Sequence, residues 1–148
     1  MVNDTMRKFG FPDTLVRDYR HWVVLVRSAQ VTLGSLVLCS KSDVESFGAL
    51  EPAAFAELAE IVPAIERALK QFRNCDRINY LMLMMVDRQV HFHIFPRYAG
   101  EREFGDEIFT DSGWPGPSDL KVAIALDGKA LNAVRDALSS HFECGFLK

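Results

Sequence analysis

Between positions 52 and 72 the apolar residues Phe55, Leu58, Ile61, Val62, Ile65, Leu69 and Phe72 recur mostly at intervals of three and four, the stripe of an amphipathic helix. Pro52 suits the first turn of that helix, where a missing N–H costs nothing, whereas Pro63 predicts a kink in its interior. A second stripe, Leu131, Val134, Leu138 and Phe142, predicts a last helix over about 128–142 with Asp127 as its N-cap. Runs rich in β-branched and aromatic residues predict strands at 21–26 and 35–39, joined as a hairpin through a turn containing Gly34. Two more runs, 78–86 and 90–95, are separated only by a few residues around Asp87-Arg88, which predicts antiparallel neighbours. The first of these is apolar on both faces, so it is expected to be central, with Met82, Met84 and Met85 as core. After Tyr98 the chain turns loop-like through Gly100, Gly105 and the run 113–117, and 120–126 is expected to add a short strand. The fold class is α+β: an antiparallel sheet of about five strands with one long helix and a C-terminal helix packed on it.

A length of 148 residues, with 49% apolar residues and eleven phenylalanines, is enough for one well-packed domain. No repeat or linker-like stretch divides the chain. The net charge of −3 supplies no basic face for a polynucleotide, although a single nucleotide remains a possible ligand. Cys39, Cys75 and Cys144 are odd in number and lack a C-x-x-C spacing, so they read as free thiols in a reducing compartment. The first twenty residues mix charges of both signs and lack the apolar stretch of a signal peptide, and the apolar run 81–86 is too short for a bilayer. A cytoplasmic protein without membrane contact is the expectation.

The chemistry is concentrated in Gln89-Val90-His91-Phe92-His93-Ile94-Phe95. Alternation along a strand puts Gln89, His91 and His93 on one side, with Phe95 walling the far end, and Val90, Phe92 and Ile94 on the other. Two imidazoles at i and i+2 have Cα atoms about 7 Å apart, close enough to converge on one ligand. A neutral imidazole nitrogen is nucleophilic toward phosphorus, and a second imidazole, if protonated, donates to a phosphate oxygen or leaving group.

The decapeptide QVHFHIFPRY resembles the signature of the histidine-triad (HIT) family, bacterial type, in which alternating histidines separated by apolar residues run into Pro-Arg. The resemblance extends over roughly residues 20–100, through the apolar strand at 22–26, the Gly-x-Leu-Val strand at 34–38, the helix at 50–72 and INYLMLMMVDRQVHFHIFPRY. It implies a homodimer that binds a purine nucleotide or nucleotide conjugate. The implied reaction cleaves an α-phosphate bond in dinucleoside polyphosphates, nucleoside phosphoramidates or nucleotidylated adducts. By position, His91 would be the nucleophile that becomes nucleotidylated, and His93 would contact the phosphate or leaving group. No metal or cofactor is implied.

The sequence departs from the family pattern in four places. Gln89 occupies the first triad position, where it retains a hydrogen-bonding group able to orient His91 but no proton that titrates near neutrality. Ser35 stands where many members carry a histidine, and Arg27 where an asparagine helps hold the nucleotide. The glycine-rich stretch that often precedes the triad is replaced by Val86-Asp87-Arg88. Arg27 and Ser35 are candidate substrate-binding residues on this basis, and Arg97 is a third by its planar donor fork, against a plain surface arginine. Trp114 is a further candidate wall for the base or a dimer axis, with simple burial as the alternative. Two other functions stay open: a nucleotide-binding module with weak turnover, and a metal site in which His91 and His93 are joined by His21, His141, Cys39 or a carboxylate.

Overall fold

The computed structural model describes residues 2–143. In chain order the elements are α1 (Asp4–Lys8), β1 (Leu15–Asp18), β2 (Trp22–Val26), β3 (Ala29–Gln30), β4 (Leu36–Ser40), a 3-10 turn at Phe47–Ala49, α2 (Pro52–Phe72), β5 (Arg77–Leu81), β6 (His91–Arg97), β7 (Arg102–Phe104), β8 (Glu107–Phe109), β9 (Ile124–Ala125) and α3 (Gly128–Glu143). Five strands form one antiparallel sheet in the order β1-β2-β4-β6-β5, and β3-β9 and β7-β8 are short separate pairs. The α+β class, an antiparallel sheet of five strands and both helices match the sequence pattern, but the fifth strand is β1, which the pattern does not mark, while 120–126 gives only β9, paired with β3 outside the sheet. Cys39 and Cys75 are buried free thiols, while Cys144 lies outside the described residues. No described helix is long and apolar enough to cross a membrane.

The main core lies between one face of the sheet and the two long helices. Trp22, Val24, Val26, Leu36, Leu38 and Ile94 meet Ile61, Ile65, Leu69 and Phe72 of α2 and Val134, Leu138 and Phe142 of α3. Burying each of these larger side chains contributes about 1.5–3 kcal/mol. Trp22 is fully enclosed, and its indole Nε1 donates to the Ala54 carbonyl at 2.9 Å, tying β2 to the first turn of α2. Helix α2 runs on through Pro63. That residue sits on the exposed side, where a freed carbonyl reaches water. Phe55 is half exposed and packs on Phe47, and Ala54 takes the inward position beside it.

The turn into β4 needs Gly34, whose φ is +97° and whose missing Cβ would approach Pro96 Cγ to 3.2 Å. Gln30 Oε1 accepts from Gly34 N, and Ser35 Oγ both donates to Thr32 O and accepts from Thr32 N.

The longest strand expectation is corrected as well. The run 78–86 is not a central two-faced strand: β5 stops at Leu81 and forms the edge of the sheet, and residues 82–90 leave it as a connection. Met85 is 83% exposed and lies outside the core, whereas Met82 and Met84 are partly buried against it, Met84 with φ +54°. Unbroken apolarity carries no period, so a buried strand and a loop lining a cavity read alike.

Candidate active site

Cross-strand register fixes what surrounds the histidines. His91 lies opposite Cys39, and His93 lies between Val37 on β4 and Leu81 on β5. Both imidazoles therefore stand on the sheet face away from α2 and α3, beside a second, smaller apolar cluster of Met6, Val23, Leu25, Val37 and Cys39. Their ring centroids are 5.0 Å apart, edge to face. His93 in turn stacks on Phe95 at 6.2 Å, the aromatic wall that alternation predicts.

His91 is held by the backbone. Its Nδ1 lies 2.8 Å from the Gln89 carbonyl. A carbonyl only accepts, so Nδ1 carries a proton, and in the neutral ring Nε2 holds the lone pair. His93 is mostly buried, with its Nδ1 unpartnered among the described groups. Burial, then the neighbouring His91 and Arg27, pushes its pKa down to about 4, so the ring is neutral near pH 7. The proton donor foreseen at this position is thus a neutral N–H unless a bound anion restores the charge.

The cover of this face comes from the N-terminal segment, which the sequence pattern does not announce. Asn3 caps α1 by accepting from Met6 N, and its amide donates to the carbonyls of Ser40 and Ser42 at 2.8 and 2.9 Å. Thr5 Oγ1 donates to Gln89 Oε1 at 2.7 Å, Thr5 N donates to the same oxygen at 3.1 Å, and Gln89 N donates back to Thr5 Oγ1. Phe9 then packs against both imidazoles, with centroids 5.7 Å from His91 and 5.6 Å from His93. A five-residue helix is too short to show periodicity. The only local signal for it is Asn3-Asp4, a capping residue followed by an acid in the first turn.

A cavity of about 220 Å³ opens onto the two histidines and is lined also by Lys8, Phe9, Arg27, the 83–87 loop and Leu120. Of the candidate residues, this brings together His91, His93 and Arg27. The Arg27 guanidinium lies 5.9 Å from the Phe95 ring centroid, donates from Nη1 to Ala29 O, and keeps a buried Nε without a partner among the described residues. Gln89 contributes its carbonyl to His91, but its side chain faces Thr5. Orientation by the Gln89 side chain is thereby indirect.

Ser35 and Arg97 are placed elsewhere. Ser35 is enclosed and bonded within the turn to Thr32. Arg97 shares the face of His91 and His93, but its guanidinium pairs with Asp111 at 2.6 and 3.0 Å and donates to Asn79 and to Gly116 O. It is buried rather than a surface arginine, and its donors are engaged in holding the 111–116 loop. Trp114 is half-buried and lines a separate cavity with Arg77, Asn79 and Arg97. Among the described residues no three His, Cys, Asp or Glu side chains gather as a metal would need. Cys39, the nearest of the proposed third ligands by register, is a buried thiol whose pKa burial pushes up.

No family model matches the sequence, and no curated protein matches it. Solved structures do. The fold is similar to a histidine triad protein from Bradyrhizobium japonicum, at 22% identity over 96% of this chain and 97% of that one, with a TM-score of 0.72. It is similar to a histidine triad (HIT) protein from Sinorhizobium meliloti 1021, at 17% identity over 95% and 96% of the two chains and a TM-score of 0.74. A third likeness is to a hypothetical histidine triad nucleotide-binding protein from Sulfolobus tokodaii strain7, at 16% identity over 88% and 84% with a TM-score of 0.67. The architecture is that of the histidine-triad proteins.

Proposed function

We propose that this chain is a nucleotide hydrolase or nucleotidyl transferase that works through His91. The observation that carries the proposal is the Nδ1 contact to the Gln89 carbonyl, which in the neutral ring leaves the Nε2 lone pair as the nucleophile, on a cavity also lined by a partly buried cation, Arg27. Nε2 attacks the α-phosphorus, the bond from phosphorus to the leaving oxygen or nitrogen breaks, and the nucleotide is carried on His91. Water then attacks the same phosphorus, gives up a proton, and releases the nucleotide from the ring. An acceptor hydroxyl or amine in place of water makes the reaction a transfer. Arg27 Nε and a neutral His93 N–H supply donors for the phosphate oxygens. Nothing in this sequence of steps calls for a metal.

The resemblance to the histidine-triad family supplies dinucleoside polyphosphates and nucleoside phosphoramidates as candidate substrate classes, with a purine nucleotide as the bound half. The one named solved likeness described as nucleotide-binding agrees with that choice. The free edge of β5 offers backbone groups that a second copy can pair with across a two-fold axis, and we take a homodimer as the assembly.

The test is mass spectrometry of protein quenched during turnover of adenosine and guanosine phosphoramidates and dinucleoside polyphosphates. A nucleotide adduct on His91 is expected, and His91→Ala should lose the adduct and turnover while still binding nucleotide. Full turnover in His91→Ala would overturn the assignment. Binding without any adduct or turnover would leave a nucleotide-binding module.

A further inference from the structure

Lys8 stands at the edge of the histidine cavity with no role in the scheme above. It comes from the last turn of α1, the helix that Asn3 and Thr5 fix to the sheet and to Gln89. Its Nζ lies 3.1 Å from Asp87 Oδ1, and both residues line the cavity with His91, His93 and Arg27. The Lys8 side chain is 55% exposed and that of Asp87 19%, so the pair bridges the cavity mouth from α1 to the 82–90 connection. An ion pair this exposed is weak, and a phosphate with more than one negative charge competes with a single carboxylate for the ammonium.

The positions of the two cations are unequal. Arg27 is set into the wall against Phe95, whereas Lys8, with its side chain 55% exposed, is at the opening. A phosphate attacked by His91 needs only the inner one. A substrate that uses both carries further phosphate on its leaving side. A phosphoramidate carries no phosphate beyond the one attacked, so it offers Lys8 nothing to hold.

Resting on the nucleotide reading above, we propose that Lys8 is a specificity-determining residue that exchanges Asp87 for the leaving-side phosphates of a polyphosphate substrate, so that polyphosphates are preferred over phosphoramidates. Asp87 keeps the ammonium in place when the cavity is empty, and α1, docked through Gln89, sets where it sits.

The experiment measures the affinity of AMP, ADP and ATP for the full chain carrying His91→Ala, which cannot turn them over, with Lys8→Ala, Lys8→Arg or Asp87→Asn added. Lys8→Ala should weaken ADP and ATP by roughly ten- to a hundredfold, the scale of a hydrogen bond to a charged group, and AMP by less than about threefold. Lys8→Arg should retain most of the ADP and ATP affinity. Asp87→Asn should tighten ADP and ATP binding, and only while Lys8 is present. If Lys8 merely pins the 82–90 connection, Lys8→Ala and Asp87→Asn break the same pair and must shift affinity in the same direction, which overturns the proposal. An equal loss for all three nucleotides in Lys8→Ala overturns it as well and leaves the nucleotide reading standing. Failure of AMP, ADP and ATP alike to bind the His91→Ala chain takes down both.

Discussion

The two faces of the central sheet are covered in different ways. On one, α2 and α3 lay regular apolar stripes over Trp22, Leu36, Leu38 and Ile94, and nearly every contact is hydrocarbon on hydrocarbon. On the other, beside a small apolar cluster around Met6, a single turn of helix, an exposed ion pair and a few hydrogen bonds between residues 84 apart hold the Phe9 ring over His91 and His93. The first face is stabilised by area, which tolerates small errors of placement. The second depends on particular donors and acceptors, and a short segment so held can move as ligand enters. Stability and chemistry are thus divided between the two sides of one sheet.

The largest effect expected from breaking this division is on the helix side. Trp22→Ala removes a fully enclosed indole and its bond to Ala54 O, and should cost about 3–5 kcal/mol of folding stability. Urea unfolding checks the loss. Where the variant is still folded, its turnover per folded molecule should stay within a few-fold of the parent, because no group of the histidine cavity is touched. A small stability loss with a large fall in turnover would show the faces to be coupled.

What could be read from the sequence follows the same line. The stripe from Ile61 to Phe72 gives the buried face of α2 because burial repeats every turn, although Phe55 is exposed and Ala54 is buried in its place, and the alternation from His91 to Phe95 gives the histidine face because burial repeats every second residue. Elements held by single contacts have no period to read. Thr5 and Gln89 are far apart in the chain, so nothing local marks α1 as the cover of the site, and neither Lys8 nor Phe9 stands out. The run 82–86 misleads in the opposite direction: its apolar residues line a cavity mouth, with Met85 and Val86 more than three-quarters exposed, yet they spell a buried strand. Arg97 was legible as a planar donor fork, but its partner Asp111 comes from a loop with no pattern of its own.

A smaller effect is expected from undocking α1. Gln89→Ala leaves Thr5 N and Oγ1 without their acceptor, at a cost of about 1–3 kcal/mol, and frees Phe9 to drift from the imidazoles. Thr5→Val removes the hydroxyl while keeping its shape. Because both changes break one contact, the double variant should lose less than the sum, with a coupling of about 0.5–3 kcal/mol in a denaturation cycle. Turnover should fall in each single variant while His91 keeps its bond to the residue 89 carbonyl, which no side-chain change removes. Additive effects would mean that the two side chains act separately and that Gln89 does not anchor α1.

The smallest effect is a proton, and its sign is fixed by His93. The folded chain holds this ring neutral down to about pH 4, against an ordinary value of 6.5 in an unfolded chain. Its contribution to stability is therefore fully present above about pH 6.5 and is lost as the pH falls through that value toward about 4, where the unfolded chain binds the proton more readily. A phosphate in the cavity works the other way. Its negative charge offsets the burial and the repulsion from Arg27 that depress the pKa, so the bound complex holds the proton that the free protein has lost. Between about pH 4 and 6.5, nucleotide binding should take up a fraction of a proton and tighten as the pH falls. Calorimetry of AMP binding in buffers of differing ionisation enthalpy measures that uptake, and His93→Gln, which keeps a donor without the titration, should abolish it. Uptake that persists in His93→Gln would assign the proton to another group and place the phosphate away from this ring.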